Sequence, residues 1–342
     1  MFKAFGKNPA GNELAKIKRS TNYRNGAFQN LSSTSVMTED TSFFKALANF
    51  LNKPKDSVPP GPLPFIKMDL HSLKSDKPVI IWFGHSSYFI RIEGKNILVD
   101  PVFSGNASPF TFAVKSFKGS DVFQSGDMPE IDVMIITHDH YDHLDYKTFA
   151  ELKNKVKLIC TPLGVGSHLA YWGFDPSRII EFDWWNIHHI HANMQIIATP
   201  ARHFSGRLFA RGKTLWSAFI LQTREYKLFL GGDGGYDHHF KSIGAQYGPF
   251  DLAILEAGQY NTSWPQIHMM PEETVQAAID LKTKVLLPVH WGKFALAFHS
   301  WNEPIKRLTE KAKTVGLEVT TPRIGEPVVV GENYPHDPWW HL

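Results

Sequence analysis

The densest group of chemically capable residues follows an apolar, strand-like run, Ile131-Asp132-Val133-Met134-Ile135-Ile136. It reads Thr137-His138-Asp139-His140-Tyr141-Asp142-His143-Leu144-Asp145, an H-x-H-x-D-H pattern. Zinc takes imidazole nitrogen and carboxylate oxygen readily, and a catalytic site keeps one position open for water. On a sharp loop His138 and His140 turn inward together and give one metal two nitrogens. Asp142 and His143 open the following helix and face a second metal. Two neighbouring histidines on a strand are often only surface residues. Four donor-type residues within six positions at a strand-to-helix turn point to metal chemistry.

The rest of the composition agrees with imidazole–carboxylate chemistry. The chain has 342 residues, 17 of them His and only one Cys. Cys160 lies in the apolar run Val156-Lys157-Leu158-Ile159-Cys160 and reads as an inert core thiol; as the one cysteine it allows no intramolecular disulfide and points away from thiolate zinc. Lys+Arg is 36 and Asp+Glu is 33, a net charge of +3. That balance, without a basic stripe, argues against nucleic acid as the partner. No run is long and apolar enough to span a bilayer as a helix, and the N-terminus lacks the apolar stretch of a secretory signal. A cytoplasmic protein is the expectation, with its N-terminal arm docked on the domain and peripheral membrane contact through that arm as the alternative.

Positioning these residues requires strands that end in turns. Apolar runs at 79–83, 88–92, 96–100, 131–136, 194–199, 216–222, 226–231, 251–256 and 284–289 read as strands. Helical periodicity covers 144–154, 163–172, 271–283 and 303–316. Early strands pair as hairpins and later ones alternate with helices, so mixed sheets with helices outside fit better than one doubly wound parallel sheet. Residues 1–65 differ from the rest. They form a basic arm, a short helix with Phe43, Phe44, Leu47, Phe50 and Leu51 on one face, and a proline-rich connector; residues 66–342 form the catalytic domain.

The H-x-H-x-D-H pattern is the signature of the metallo-β-lactamase superfamily. Within it, the chain resembles the N-acyl-phosphatidylethanolamine-hydrolysing phospholipase D group. The shared stretches are Trp82-Phe83-Gly84-His85-Ser86, Asp100-Pro101-Val102-Phe103-Ser104, the histidine loop with Tyr141 and Asp145, and Glu181-Phe182-Asp183-Trp184-Trp185. They continue through 247–253, 268–273 and 290–297. The likeness spans roughly residues 60–315 and weakens over 1–55. It implies an α/β fold, the αββα sandwich of two mixed sheets flanked by helices. It also implies two Zn2+ ions, one held by His138, His140 and His203, the other by Asp142, His143 and His290, with Asp233 bridging. Gly234 stands where the family often has Thr, and Lys293 where a small polar residue is common.

By the same resemblance the activity is hydrolysis of a phospholipid diester to phosphatidic acid and an N-acylethanolamine. Two metals would activate water and neutralise the phosphate oxygens. Asp142, Asp233 and His268 are the expected catalytic residues; Trp184, Trp185, Tyr260, His268 and Lys293 are the expected substrate contacts. His268 precedes the 271–283 helix and is balanced between a substrate-facing and a structural place. His85 reads as a structural hydrogen-bonding residue, His189 and His191 as an exposed pair, and His238-His239 as a helix start. A sugar-phosphate lactonase and a non-enzymatic binding protein on a degenerate scaffold are the rival readings. The oligomeric state stays open, with a homodimer as one option.

Overall fold

The computed structural model describes residues 2–38, 53–110, 112–207 and 210–342; the helix expected over 43–51 lies outside these. Two seven-stranded sheets carry the fold. The first runs, edge to edge, Pro327–Val329, Val79–Trp82, Tyr88–Ile92, Lys95–Val99, Ile131–Ile135, Val156–Pro162 and Ile179–Phe182. Its first three pairings are antiparallel and its last three parallel. The second runs Glu318–Val319, Val285–Val289, Leu252–Glu256, Lys227–Leu230, Ala218–Gln222, Met194–Thr199 and Ile187–His191. Its pairings are three parallel, then three antiparallel.

Alternation along the strands builds the layers, because successive side chains point to opposite faces. Leu228, Leu230, Leu252, Ile254 and Leu287 join Ile80, Ile90, Leu98, Met134 and Ile159 in the core between the sheets. Their neighbours Phe229, Ala253, Leu255 and Leu286 face the other way, onto buried residues of helices His239–Gln246, Pro271–Asp280 and Glu303–Val315. This is the αββα sandwich. The helices form where local chemistry permits. Pro271 and two glutamates open one of them, and Gly316, at φ 68°, closes another.

Expected elements are present with trimmed ends: 144–154 forms Tyr146–Leu152, and 163–172 forms Gly166–Tyr171. Asp145 caps the first of these by accepting from Lys147 N at 3.3 Å. Asp142 and His143 therefore lie in the turn ahead of the helix rather than opening it. The edge strands Ile179–Phe182 and Pro327–Val329 carry no strong apolar alternation and are not evident in the sequence.

The N-terminal arm is built into the domain. Ile17 and Phe28 are buried with Leu163, Trp184, Ala201, Leu215 and Trp216. Among the described residues no helix is long and apolar enough to cross a membrane. Emptying a buried aromatic position costs about 3–5 kcal/mol. Phe28→Ala should lower the unfolding free energy by that amount in a denaturant titration. A change below about 1 kcal/mol would mean the arm contributes little to the folded state.

Candidate metal centre

Strand ends from both sheets deliver the donors. His138, His140, Asp142 and His143 follow strand Ile131–Ile135. His203 follows Met194–Thr199, Asp233 follows Lys227–Leu230 and His290 follows Val285–Val289. The two sheets meet here through main chain. His85 N donates to Trp291 O at 2.8 Å, and His290 N donates to His85 O at 2.9 Å. His85 and His290 both adopt positive φ, at 54° and 66°, as do Asp100 at 41° and Gln259 at 63°. Left-handed backbone at non-glycine residues is costly and gathers where a site requires it. Gly258 is required for a different reason: a Cβ there would lie 2.2 Å from the His290 carbonyl oxygen.

The side chains converge as two groups. In one, His138 Nε2 and His203 Nε2 lie 2.9 and 3.3 Å from His140 Nδ1. In the other, Asp142, His143 and His290 gather with His85. Asp233 lies between them. Its carboxylate is 3.2 Å from His143 Nε2, 3.1 Å from His290 Nδ1, 3.8 Å from His138 Nε2 and 3.9 Å from His203 Nε2. Despite this crowding, buried His143 Nε2 and Asp233 Oδ1 make no hydrogen bond. Buried polar atoms left unpartnered around a shared centre are costly without a cation. The donor set thus fits the two metal positions expected of it.

Outer bonds choose which nitrogen faces inward. His143 Nδ1 donates to Asp100 Oδ2 at 2.7 Å, and His203 Nδ1 donates to Ile267 O at 2.9 Å. Thr137 Oγ1 donates to Asp100 Oδ2 at 2.6 Å and lies 3.0 Å from His138 Nδ1. Asp100 thereby orients a histidine in each group. Burial lowers the pKa values of His138, His140, His203 and His290, which keeps their rings neutral and able to ligate. For Asp142 and Asp233 burial acts upward, but the neighbouring histidines, His143 first, outweigh it and hold both carboxyls below the usual range.

The site opens into a cleft of about 260 Å3. His140, Asp142, Asp233, His268 and His290 line it, and Val36, Met37, Phe204, Trp264, Ile267 and Leu296 supply apolar wall. Val36 and Met37 come from the arm, held there by Arg202, which donates to Thr34 Oγ1 at 3.0 Å and Ser33 O at 3.1 Å. His268 Nδ1 donates to Glu256 Oε2 at 2.8 Å. Burial alone would lower the His268 pKa; the Glu256 carboxylate outweighs it and raises the value to about 9. We assign the shared proton to the ring, because Met269 N also donates to Glu256, at 2.8 Å, and favours the carboxylate.

The other residues expected at the substrate stand away from this lining. Trp184 is buried and donates to Trp216 O at 2.8 Å. Trp185 is partly exposed and stacks on Tyr247. Tyr260 donates to Glu303 at 2.6 Å and stacks on His299. Lys293 is 1% exposed; its ammonium donates to Val102 O at 2.9 Å and pairs with Asp121 at 3.2 Å. It staples loops behind the site instead of reaching an anion in front of it. His85 is a hydrogen-bonding residue as expected, donating to Asp142 Oδ2 at 3.0 Å. His189 and His191 lie on an edge strand, and His238-His239 begin a helix. Cys160 is buried and its thiol pKa is pushed up by that burial. Among the contributors not singled out from the sequence as site residues are Asp100, Glu256 and Gln259. Asp100 and Glu256 each end an apolar strand run in a carboxylate, which is the signal available for them.

A family profile for the beta-lactamase superfamily domain matches residues 95–291. The chain belongs to the metallo-β-lactamase superfamily. It is 38% identical over 333 residues to an uncharacterised protein of Mycobacterium tuberculosis, covering 96% of this chain and 89% of that one. It is 33% identical over 247 residues to the mitochondrial N-acyl-phosphatidylethanolamine-hydrolyzing phospholipase D of Saccharomyces cerevisiae, covering 69% of this chain and 52% of that protein. The fold is also that of Igni18, a metallo hydrolase from the archaeon Ignicoccus hospitalis, with TM-score 0.56, 20% identity, and coverage of 74% and 97%.

Removing an outer partner of a metal-binding histidine typically weakens metal binding about 10–100-fold. Asp100→Asn should do so for both groups, read by chelator competition. Unchanged competition curves would mean Asp100 does not orient the ligands.

Proposed function

We propose that this protein, a metal-dependent hydrolase of the metallo-β-lactamase superfamily, is a phosphodiesterase acting on N-acyl-phosphatidylethanolamine-like phospholipids. The observation that carries the reading is a paired donor set joined by Asp233 at the floor of an apolar-walled cleft, with His268 beside it. His138, His140 and His203 would hold one zinc ion, Asp142, His143 and His290 the other, and Asp233 both. When bound, such ions supply Lewis acidity toward phosphate oxygens and a strong nucleophile from water at neutral pH.

The chain's own residues do the rest. Val36, Met37, Phe204, Trp264, Ile267 and Leu296 offer apolar surface to acyl chains and exclude water from the diester. Glu256 fixes His268 through Nδ1, so the remaining ring nitrogen is available to the substrate. Water adds its oxygen to phosphorus and releases a proton to solvent as the bond to the ethanolamine oxygen breaks, while His268 gives the departing alkoxide its proton and regains one from solvent. The products are phosphatidic acid and an N-acylethanolamine. The similarity to the yeast enzyme supports this substrate class. Contact with a membrane surface through the N-terminal arm is part of the same proposal.

Zinc-loaded protein should bind about two ions per chain and release N-acylethanolamine from N-acyl-phosphatidylethanolamine in mixed micelles. Loss of a key electrostatic group costs ~10²–10³ in rate. Asp233→Asn should show that loss with its fold preserved by circular dichroism. Turnover of a sugar-phosphate lactone, with no phosphatidic acid formed from lipid, would replace this reading.

General-acid help is worth ~10²–10⁴-fold. His268→Gln should lose it with an alkoxide leaving group and lose far less with a nitrophenolate, which departs without a proton. Equal losses on both would assign His268 to phosphate binding.

A further inference from the structure

The three-histidine group stands on two loops; the N-terminal segment bonds directly to one and, through His168 and Arg207, to the other. On the first loop, His203 follows the strand Met194–Thr199 and has left the sheet, so among the described residues no neighbouring strand takes its main-chain groups. Asn30 takes them instead. Its Nδ2 donates to His203 O at 2.7 Å, and its Oδ1 accepts from His203 N at 3.0 Å. The same Oδ1 accepts from Trp216 Nε1 at 3.0 Å, which ties the carboxamide to the buried indole. One side chain thus replaces a strand partner for a single residue. With Nδ1 fixed to Ile267 O, His203 is held at ring and backbone together.

On the second loop, Asp139 lies between His138 and His140 and is buried. It accepts from His168 Nε2 at 3.1 Å, Thr214 Oγ1 at 2.8 Å and Gly206 N at 2.7 Å. The other nitrogen of His168 accepts from Lys7 N at 3.0 Å. Arg207 donates to Asp139 O at 2.7 Å and also to Ala4 O. Residues 4, 7 and 30 therefore reach the two loops that carry His138, His140 and His203. The direct bonds to Asp142, His143 and His290 come from His85, Asp100 and Ser86, outside this segment.

We propose that the N-terminal segment is a positioning element for one half of the metal centre, and that Asn30 sets the affinity of the His138–His140–His203 group for its cation. This rests on reading the two donor groups as metal positions. A donor held at the wrong angle binds a tetrahedral cation poorly, because the cation demands directions as well as distances. Without Asn30 the two main-chain groups of His203 need other partners, and the ring turns away from His138 and His140 as the loop relaxes.

The experiment is a zinc titration of the full chain against a chromophoric chelator, repeated with cobalt, whose absorption reports the coordination of each equivalent. Outer-partner loss typically costs about 10–100-fold in affinity. Asn30→Ala should lose that much at one metal equivalent and leave the other at its wild-type value. Asn30→Asp keeps the acceptor for His203 N and Trp216 but not the donor to His203 O, and should lose less. Leu31→Ala, at a half-exposed neighbour on the same segment, should match wild type. If Asn30→Ala does not fold, Asn30→Asp alone must show the one-equivalent loss. Two wild-type affinities in both Asn30 variants overturn the inference, and so does equal weakening of both equivalents, which is what a merely structural role gives. A wild-type protein that takes up no metal overturns the metal reading itself.

Discussion

A carboxylate removed from water needs positive charge or donors close by, and Asp233 has been removed almost entirely, with 4% of its surface exposed. It is reached by four histidines from three separate loops, which is why those loops must meet at one place. The sandwich supplies that meeting point. Strands of both sheets end at the same rim, and the crossed main-chain bonds between His85, His290 and Trp291 hold the two rims together. The aromatic stack of Trp82, Trp291 and Trp339 fills the space behind this join, so the His290 loop rests on buried indoles.

Around that centre the polar groups fall into a supporting layer with a clear division of labour. Asp100 serves one histidine in each donor group, directly for His143 and through Thr137 for His138. Gln259 closes the loop after His290 by accepting from Leu296 N at 2.8 Å and Ala297 N at 2.9 Å. Glu256 holds His268 and the start of the helix Pro271–Asp280. The apolar residues at the mouth come from the arm, the His203 loop and the loops after Glu256 and His290.

Much of this was legible in the sequence for a simple reason. A buried strand in a two-layer sandwich is an apolar run, and a donor at its end is conspicuous; His138, Asp233 and His290 all stand so. The same reasoning extends to Asp100 in Asn96-Ile97-Leu98-Val99-Asp100 and to Glu256 in Leu252-Ala253-Ile254-Leu255-Glu256. Sequence alone does not say that these two face ring nitrogens and not solvent. Lys293 misleads in the opposite direction. An ammonium is expected in water, yet here Asp121 and the Val102 carbonyl draw it into the core. Asn30 sits in the polar stretch Gln29-Asn30-Leu31-Ser32-Ser33-Thr34, which has no periodicity, and its partners are more than 170 residues away. Trp184 and Tyr260 are legible as aromatic but not as core, because an indole N–H or phenol O–H paired inside the fold looks the same in a sequence as one facing a ligand.

The scattering of donors along the chain has a consequence for synthesis. Roughly 150 residues separate His138 from His290. At ribosomal rates of about 5–20 residues per second, the H-x-H-x-D-H loop emerges about 8–30 seconds before its last donor exists. During that interval it is a partial site with free imidazoles and carboxylates, open to whichever divalent ion binds such donors most tightly, and copper outranks zinc in that order. Loading of such a donor set would therefore depend on timing as well as affinity, because His290 and the supporting Trp339 are made last.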